Sequence, residues 1–268
     1  MKRIVVTGGN SGMGRETAEL FLRQGDRVVF TSRSTDKAQA MLEDNREAVE
    51  QGNLFFCQCD SSKWSEVVQL AAFTQEKLGG CDVLVNCAAI FVGGQVHETS
   101  EEDFSLILDI DVKGVFLTCK AFLPQMLEQG SGCLINISSL AGIRGNYNAA
   151  AYCAAKGAVN NLTRAMALDY GTRGIRANTV CPSATSTDMF LVGSTREVID
   201  SFYKQNPMGR ISSPGKLHGL LPFWPRTMRR LSMVSAYPLM VVCLPGPVNP
   251  GRIRQSSGGN SRSTTACA

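Results

Sequence analysis

Short apolar runs and amphipathic stretches alternate from the start of the chain to about residue 190. Arg3 to Thr7, Arg27 to Thr31, Leu54 to Gln58, Val83 to Asn86, Gly132 to Ser138 and Arg176 to Cys181 are nearly continuous apolar runs of strand length, the pattern of strands covered on both faces. Between them, Arg15 to Gln24, Trp64 to Leu78 and Tyr152 to Tyr170 carry apolar residues at helical spacing. Strands alternating with helices predict parallel pairing through right-handed crossovers. The expected architecture is therefore α/β, a Rossmann-type doubly wound parallel sheet with helices on both faces. No segment repeats another.

Composition adds a boundary. The 268 residues, 44% of them apolar, suffice for one large domain. The net charge of +4 conceals a division at residue 216: residues 216 to 268 hold seven Lys/Arg and no acid. Removing those 7 from 27 leaves 20 basic against 23 acidic side chains in residues 1 to 215, a net of −3. Six of the ten prolines also lie in the tail. The ten cysteines form no C-x-x-C, and with only His97 and His218 beside them no metal site is expected. Reduced thiols, no signal-peptide pattern and no bilayer-spanning apolar run predict a cytoplasmic protein without membrane contact. The tail arginines lack the regular spacing that presents cations to phosphates, which argues against a nucleic-acid partner.

Candidate chemistry begins at "VTGGNSGMGRETAELF", where Gly8, Gly12 and Gly14, with Asn10, Ser11 and Met13 between them, join the first strand to the first helix. Glycines there permit a tight turn and let backbone N–H groups and a helix N-terminus approach a pyrophosphate. A dinucleotide fold then needs, about 20 residues on, an acid for a free ribose 2′-hydroxyl or a base for a 2′-phosphate. The second strand ends "VVFTSRS", with Ser32 where the acid would stand and Arg33 beside it. That favours NADP(H), with NAD(H) still possible.

With this turn, "VNCAA" (Val85 to Ala89), "INISS" (Ile135 to Ser139) and "YCAAK" (Tyr152 to Lys156) in order, the chain resembles the short-chain dehydrogenases/reductases from residue 3 to about Gly215. Within that family it resembles the group of 3-oxoacyl-carrier-protein reductases and glucose or hydroxysteroid dehydrogenases. The resemblance implies Tyr152 as general acid/base, Lys156 as its electrostatic partner and Ser139, thirteen residues before the tyrosine, as donor to the substrate oxygen. It further implies cofactor contacts from Asp60 and Ser61 at the adenine, from Asn86 and Ala88 along the channel, and from Pro182, Thr185 and Thr187 at the carboxamide. Family members are usually homodimers or homotetramers, here through Asp103 to Leu127 and Tyr152 to Tyr170.

One helical turn separates Tyr152 from Lys156, so both stand on one face. A phenol with a pKa of about 10 exchanges protons poorly near neutrality. An ammonium about 4 Å away, at an effective dielectric of about 20, would favour phenolate by roughly 4 kcal/mol. The implied reaction is hydride transfer between nicotinamide and a ketone or secondary alcohol, with Tyr152 moving the proton and Ser139 stabilising the oxygen. Ile90, Phe91, Val92, Ile143 and Tyr147, with Phe190, Leu191 and Phe202 after the sixth strand, make the prospective substrate side apolar without selecting among hydroxysteroid, acyl thioester and sugar.

Two departures matter. "LDIDVKGVF" has Asp111 where the family usually has asparagine, an anion that should hold Lys156 protonated while opposing phenolate. After "NPMGRISSPG" the family continues with a helix, a last strand and a Gly-rich end, whereas here the basic, proline-broken tail follows. Read one base earlier within the degeneracy of the code, Gly215 to Val242 can encode "EIAWAIAFLASDDASSINGVCLPVDGG", close to the missing ending. A frameshift near Gly215 explains the absent acids and clustered prolines. It predicts a catalytic domain of residues 1 to 215, an irregular tail over 216 to 268, and a sheet that has lost its last helix and edge strand. A protein that binds cofactor with little or no turnover, because of Asp111 and the tail, is the alternative outcome.

Overall fold

The computed structural model describes residues 1–192, 194–205, 209–215 and 240–243. The chain order is β1 (Arg3–Thr7), α1 (Gly12–Arg23), β2 (Arg27–Ser32), α2 (Thr35–Asp44), α3 (Arg46–Glu50), β3 (Leu54–Gln58), α4 (Trp64–Leu78) and β4 (Val83–Asn86). It continues with α5 (Glu101–Ile107), a π-helical turn (Leu108–Lys113), α6 (Gly114–Glu128), β5 (Gly132–Ile137), α7 (Ala150–Tyr170), β6 (Ile175–Pro182), α8 (Asp188–Val192), α9 (Arg196–Gln205) and β7 (Met240–Cys243).

Among the described residues the sheet order is β3-β2-β1-β4-β5-β6-β7, parallel from β3 through β6. The order reverses between β1 and β4, which opens a crevice at the carboxyl ends of those two strands. Alternate residues of each strand enter opposite layers, as strand geometry requires. Ile4, Val6, Phe30, Val85 and Ile135 pack with Phe21 of α1 on one face. Val5, Val29, Leu84 and Leu134 pack with Phe122 of α6 and Val159 of α7 on the other. Two buried faces explain why the strands read as unbroken apolar runs.

The six expected parallel strands are all present, within a residue at each end. Helix α1 begins three residues before its expected start, because the glycine turn itself becomes the first helical turn. The expectation of a lost edge strand is corrected in one respect: Met240–Cys243 lies antiparallel to β6, pairing Pro182 with Met240 and Thr179 with Cys243. The remainder of the tail, with the expected absence of a final helix, lies outside the described residues.

Candidate active site

The glycine turn is folded tightly against itself and against the end of β4. Gly8 has φ +63°, and a Cβ there would lie 2.8 Å from Ala88 Cα. A Cβ on Gly14 would lie 2.2 Å from the Gly8 carbonyl oxygen, so helix and turn can approach this closely only without side chains. Thr7 Oγ1 accepts from the N–H groups of Cys87 and Ala88, 3.1 and 3.2 Å away, fastening the "VNCAA" segment beside the turn. Ser11 is extended at the N-cap of α1, with its side chain capping no N–H. A Cβ on Gly12 would lie 3.2 Å from Thr187 Cγ2, so the loop after β6 closes over the turn. In that loop Pro182 ends β6, Thr185 is buried and bridges to Ser212, and Thr187 N–H donates to Thr185 O at 2.7 Å.

At the far edge of the crevice, Ser32 is buried and its hydroxyl is engaged locally, donating to Ser34 O at 2.9 Å and accepting from Ser34 N–H. Arg33 is exposed, its carbonyl accepting from Gln58 Nε2 at 3.1 Å. Partial burial pushes the Asp60 carboxyl up, but the Ser62 hydroxyl and N–H, then the Lys63 and Arg33 charges, hold it below its ordinary value. Next to it, Ser61 Oγ is buried with no hydrogen-bond partner. An orphaned buried hydroxyl calls for a partner, and with the glycine cradle it fits a group lying across the carboxyl ends of the strands.

The third cluster is built on α7. Lys156 is 2% exposed, and its ammonium lies 5.6 Å from the centroid of the Tyr152 ring. It donates to Ile137 O at 3.2 Å and meets Asp111 Oδ2 at 3.0 Å, while Asp111 Oδ1 accepts from Ile90 N–H at 2.8 Å. Burial pushes the Lys156 proton off; the Asp111 carboxylate first, and Tyr152 next, more than reverse this, so its pKa is raised. The Phe91 ring meets Tyr152 edge-on, centroids 5.2 Å apart. The two adjacent serines are clearly separated. Ser138 is buried and donates to Lys156 O at 2.9 Å, whereas Ser139 is partly exposed and its oxygen accepts from Ala141 N–H at 3.1 Å, leaving its proton for another acceptor. The cation beside the phenol is not isolated, because the Asp111 carboxylate pairs with it.

A family model described as "short chain dehydrogenase" matches residues 2–197. The chain belongs to the short-chain dehydrogenases/reductases. It is 38% identical to a meso-2,3-butanediol dehydrogenase of Serratia marcescens over 222 residues, 83% of this chain and 86% of that protein. It is also 38% identical to a 3beta-hydroxysteroid dehydrogenase of Mediterraneibacter gnavus over 189 residues, 70% of this chain and 67% of that one. Among solved structures it resembles a levodione reductase (TM-score 0.77, 28% identity, 82% of this chain and 88% of that one). A gluconate 5-dehydrogenase from Burkholderia cenocepacia, in complex with NADP and tartrate, is equally similar in fold (TM-score 0.77, 26% identity, 83% and 87% covered). This dehydrogenase is thus an NAD(P)-dependent oxidoreductase acting on the CH–OH group of secondary alcohols, or on the corresponding ketones. Among the described residues no helix is long and apolar enough to cross a membrane.

Beneath this site lies a polar network that joins Asn86 to Thr118, Asn136 and Thr163, and the Asn86 side chain points into it. It is 2% exposed, accepting from Thr118 Oγ1 at 2.7 Å and donating to Asn136 Oδ1 at 2.8 Å. Asn136 in turn donates to Thr163 Oγ1 at 2.9 Å, so one buried chain of bonds ties β4 and β5 to α6 and α7 beneath the Tyr152–Lys156 cluster. Asn160 Nδ2 donates to Gly142 O at 2.8 Å, and a Cβ on Gly142 would lie 2.6 Å from the Lys156 carbonyl. The only sequence signal for these was polar residues within otherwise apolar strands and helices. The π-turn that carries Asp111 had none.

Proposed function

We propose that Tyr152 is the general acid/base of this dehydrogenase, with Lys156 holding its charge and Ser139 donating to the substrate oxygen. Bound nicotinamide supplies or accepts the hydride at the carbonyl carbon. Tyr152 gives the carbonyl oxygen its proton in reduction and takes it back in oxidation. Ser139, its oxygen satisfied by Ala141 N–H, directs its own proton at the same oxygen as negative charge develops there. Lys156, buried and positive, keeps the phenol's surroundings favourable to its anion, moderated by Asp111. The observation that carries this reading is Tyr152 and buried Lys156 on one face of α7, one serine engaged inward and the next left with a proton to give.

NADP(H) is the preferred cofactor in this proposal. Arg33 stands at the end of β2 without an acid at Ser32, its charge is felt by Asp60, and a structural relative carries NADP. Gly8, Gly12 and Gly14, with the backbone of Asn10, Ser11 and Met13, would hold the pyrophosphate; Asp60 and Ser61 the adenine end; Asn86 and Ala88, by main chain, the channel; and Pro182, Thr185 and Thr187 the carboxamide. The substrate is a ketone with an apolar flank, beside Phe91, and the exposed Phe104, Phe116 and Leu168 of α5 to α7 favour a homo-oligomer. The catalytic unit is residues 1 to 215, and the tail from 216 arises by frameshift. Absorbance at the NADPH band during reduction of acetoin, acetophenone and 3-ketosteroids tests the reading, with NADH in parallel. Wild-type turnover on NADPH, lost in Tyr152→Phe, is expected; saturable NADPH binding with no turnover on any ketone would establish the binding-only alternative.

A further inference from the structure

We infer, resting on Tyr152 as the group that meets the substrate oxygen, that the cavity beyond Phe91 is a remote subsite for a neutral hydroxyl or keto group at the far end of a long apolar ketone. The cavity holds about 550 Å³. That lies within the range of roughly 300–1,000 Å³ that encloses drug-sized ligands. Gln95, Val96 and His97, from the loop after β4, form one wall, and Asn146, Tyr147 and Asn148, from the loop before α7, form the other. A short parallel bridge between Gly94 and Ala149 joins the two loops at the base, where Gly94 N–H donates to Asn148 O at 2.9 Å. Among the described residues Asn148, at φ +50°, is the only one other than glycine at positive φ. Backbone held in that region recurs where a loop clamps a ligand.

The cavity adjoins the reacting centre. Ala149, at its base, is the N-cap of α7, three residues before Tyr152. A Cβ on Gly93 would lie 3.2 Å from Phe91 Cε1 and 3.5 Å from Asn148 O, so the Phe91 ring sits against the same base while its centroid lies 5.2 Å from that of Tyr152. A molecule with its carbonyl at Tyr152 therefore reaches the cavity by lying across Phe91. Phe91, Val96, Ile143 and Tyr147 are all exposed, a concentration of large apolar side chains that an apolar ligand frame covers. The lining selects the far end. The amides of Gln95, Asn146 and Asn148, the His97 imidazole and the Tyr147 phenol supply donors and acceptors, but no carboxylate, lysine or arginine is among the described lining residues. Glu98, beside the first wall, accepts from Gln95 N–H at 3.1 Å and opposes an anion there. A phosphate-bearing acyl thioester would meet no counter-ion in the cavity, and a free sugar would leave the apolar collar in water. A neutral hydroxyketone with a rigid apolar frame satisfies both ends.

The test compares 17β-hydroxy-5α-androstan-3-one with 5α-androstan-3-one, which differ only in the remote hydroxyl, in NADPH-dependent reduction by the full chain. Wild type should show a KM about tenfold lower for the hydroxyketone, and His97→Ala/Asn146→Ala should bring the two KM values within about twofold, because a site built to hydrogen-bond a hydroxyl discriminates against its absence. Both replaced side chains are exposed. The variant's Tm should stay within about 2 °C of wild type, so that a lost preference reports the subsite and not the fold. Equal KM values in wild type, a preference that survives the double variant, or a kcat/KM for acetoacetyl-CoA above that for the hydroxyketone overturns the proposal. If wild type turns over no ketone, the roles proposed for Tyr152 fail, and equilibrium dialysis of the two steroids against the protein, with and without NADP, decides the subsite. Retention of the hydroxyketone about tenfold tighter, lost in the variant, then supports it, and equal retention overturns it.

Discussion

Gly14→Ala isolates the demand that the cofactor turn makes on the chain. Gly14 lies within α1 at negative φ, so an added methyl meets no backbone strain, only a neighbour: the Gly8 carbonyl oxygen at 2.2 Å, with Gly8 C at 2.9 Å and Gly9 Cα at 3.2 Å behind it. Those atoms are main chain and cannot rotate away. Relief to ordinary contact needs a displacement of about 1 Å between helix start and turn, and overpacking of this kind costs about 1–3 kcal/mol. For a domain of this size that is a fall in Tm of roughly 3–10 °C. The same displacement withdraws the α1 N-terminus from the proposed pyrophosphate site, and an NADPH Kd at least tenfold weaker, about 1.4 kcal/mol, is expected. Gly171→Ala is the control. Gly171 has φ −61° and ψ −39°, and a methyl added there would meet nothing within 4 Å, so alanine should be neutral or stabilise by about 0.4–1 kcal/mol. Urea unfolding and NADPH fluorescence titration of both variants provide the measurement. A Gly14→Ala protein with the wild-type unfolding midpoint and NADPH affinity refutes the reasoning.

Ser139→Ala should lower kcat/KM by about 10²–10³ at unchanged Tm, whereas Ser138→Ala should remove about 1 kcal/mol of stability through its bond to Lys156 O; equal kinetic losses in the two would remove the distinction between them. Arg33→Ala should raise the Kd for NADPH about tenfold while leaving that for NADH unchanged, as read by parallel titrations. The raised pKa of Lys156 stabilises the fold fully below its ordinary value near 10.5 and progressively less above it, so wild-type Tm should fall more steeply above pH 10.5 than that of Asp111→Asn/Lys156→Met. Sequencing the DNA around the Gly215 codon tests the frameshift. The chain rebuilt with the alternative reading should unfold at a higher temperature, and a codon run unable to yield that reading ends the proposal.

Much of this molecule is legible in its residues alone. The six parallel strands follow from unbroken apolar runs, because a strand covered on both faces has no polar side to show, and Ile4 and Val5 do enter opposite layers. The glycine turn is legible because few residues other than glycine permit the approach seen between Gly8, Gly14 and Ala88. The pairing of Tyr152 with Lys156 on one face is also legible, being a consequence of helical pitch. The inward turn of the Asn86 side chain, into the network with Thr118 and Asn136, is not legible in its motif.

Local spacing and side-chain shape are properties of the chain itself, and they determined the strand–helix alternation, the glycine turn and the Tyr–Lys face. That Ile90 N–H is a donor to Asp111, and that Ser138 spends its proton on Lys156 O, could be decided only by the tertiary structure. The same holds for Phe91 against the phenol and for the short antiparallel strand at the sheet edge. Those outcomes depend on contacts between segments far apart in the chain, such as Ile90 with Asp111 and Ser138 with Lys156. No periodicity records a contact of that kind, because each partner's local sequence is compatible with many neighbours and only packing selects one.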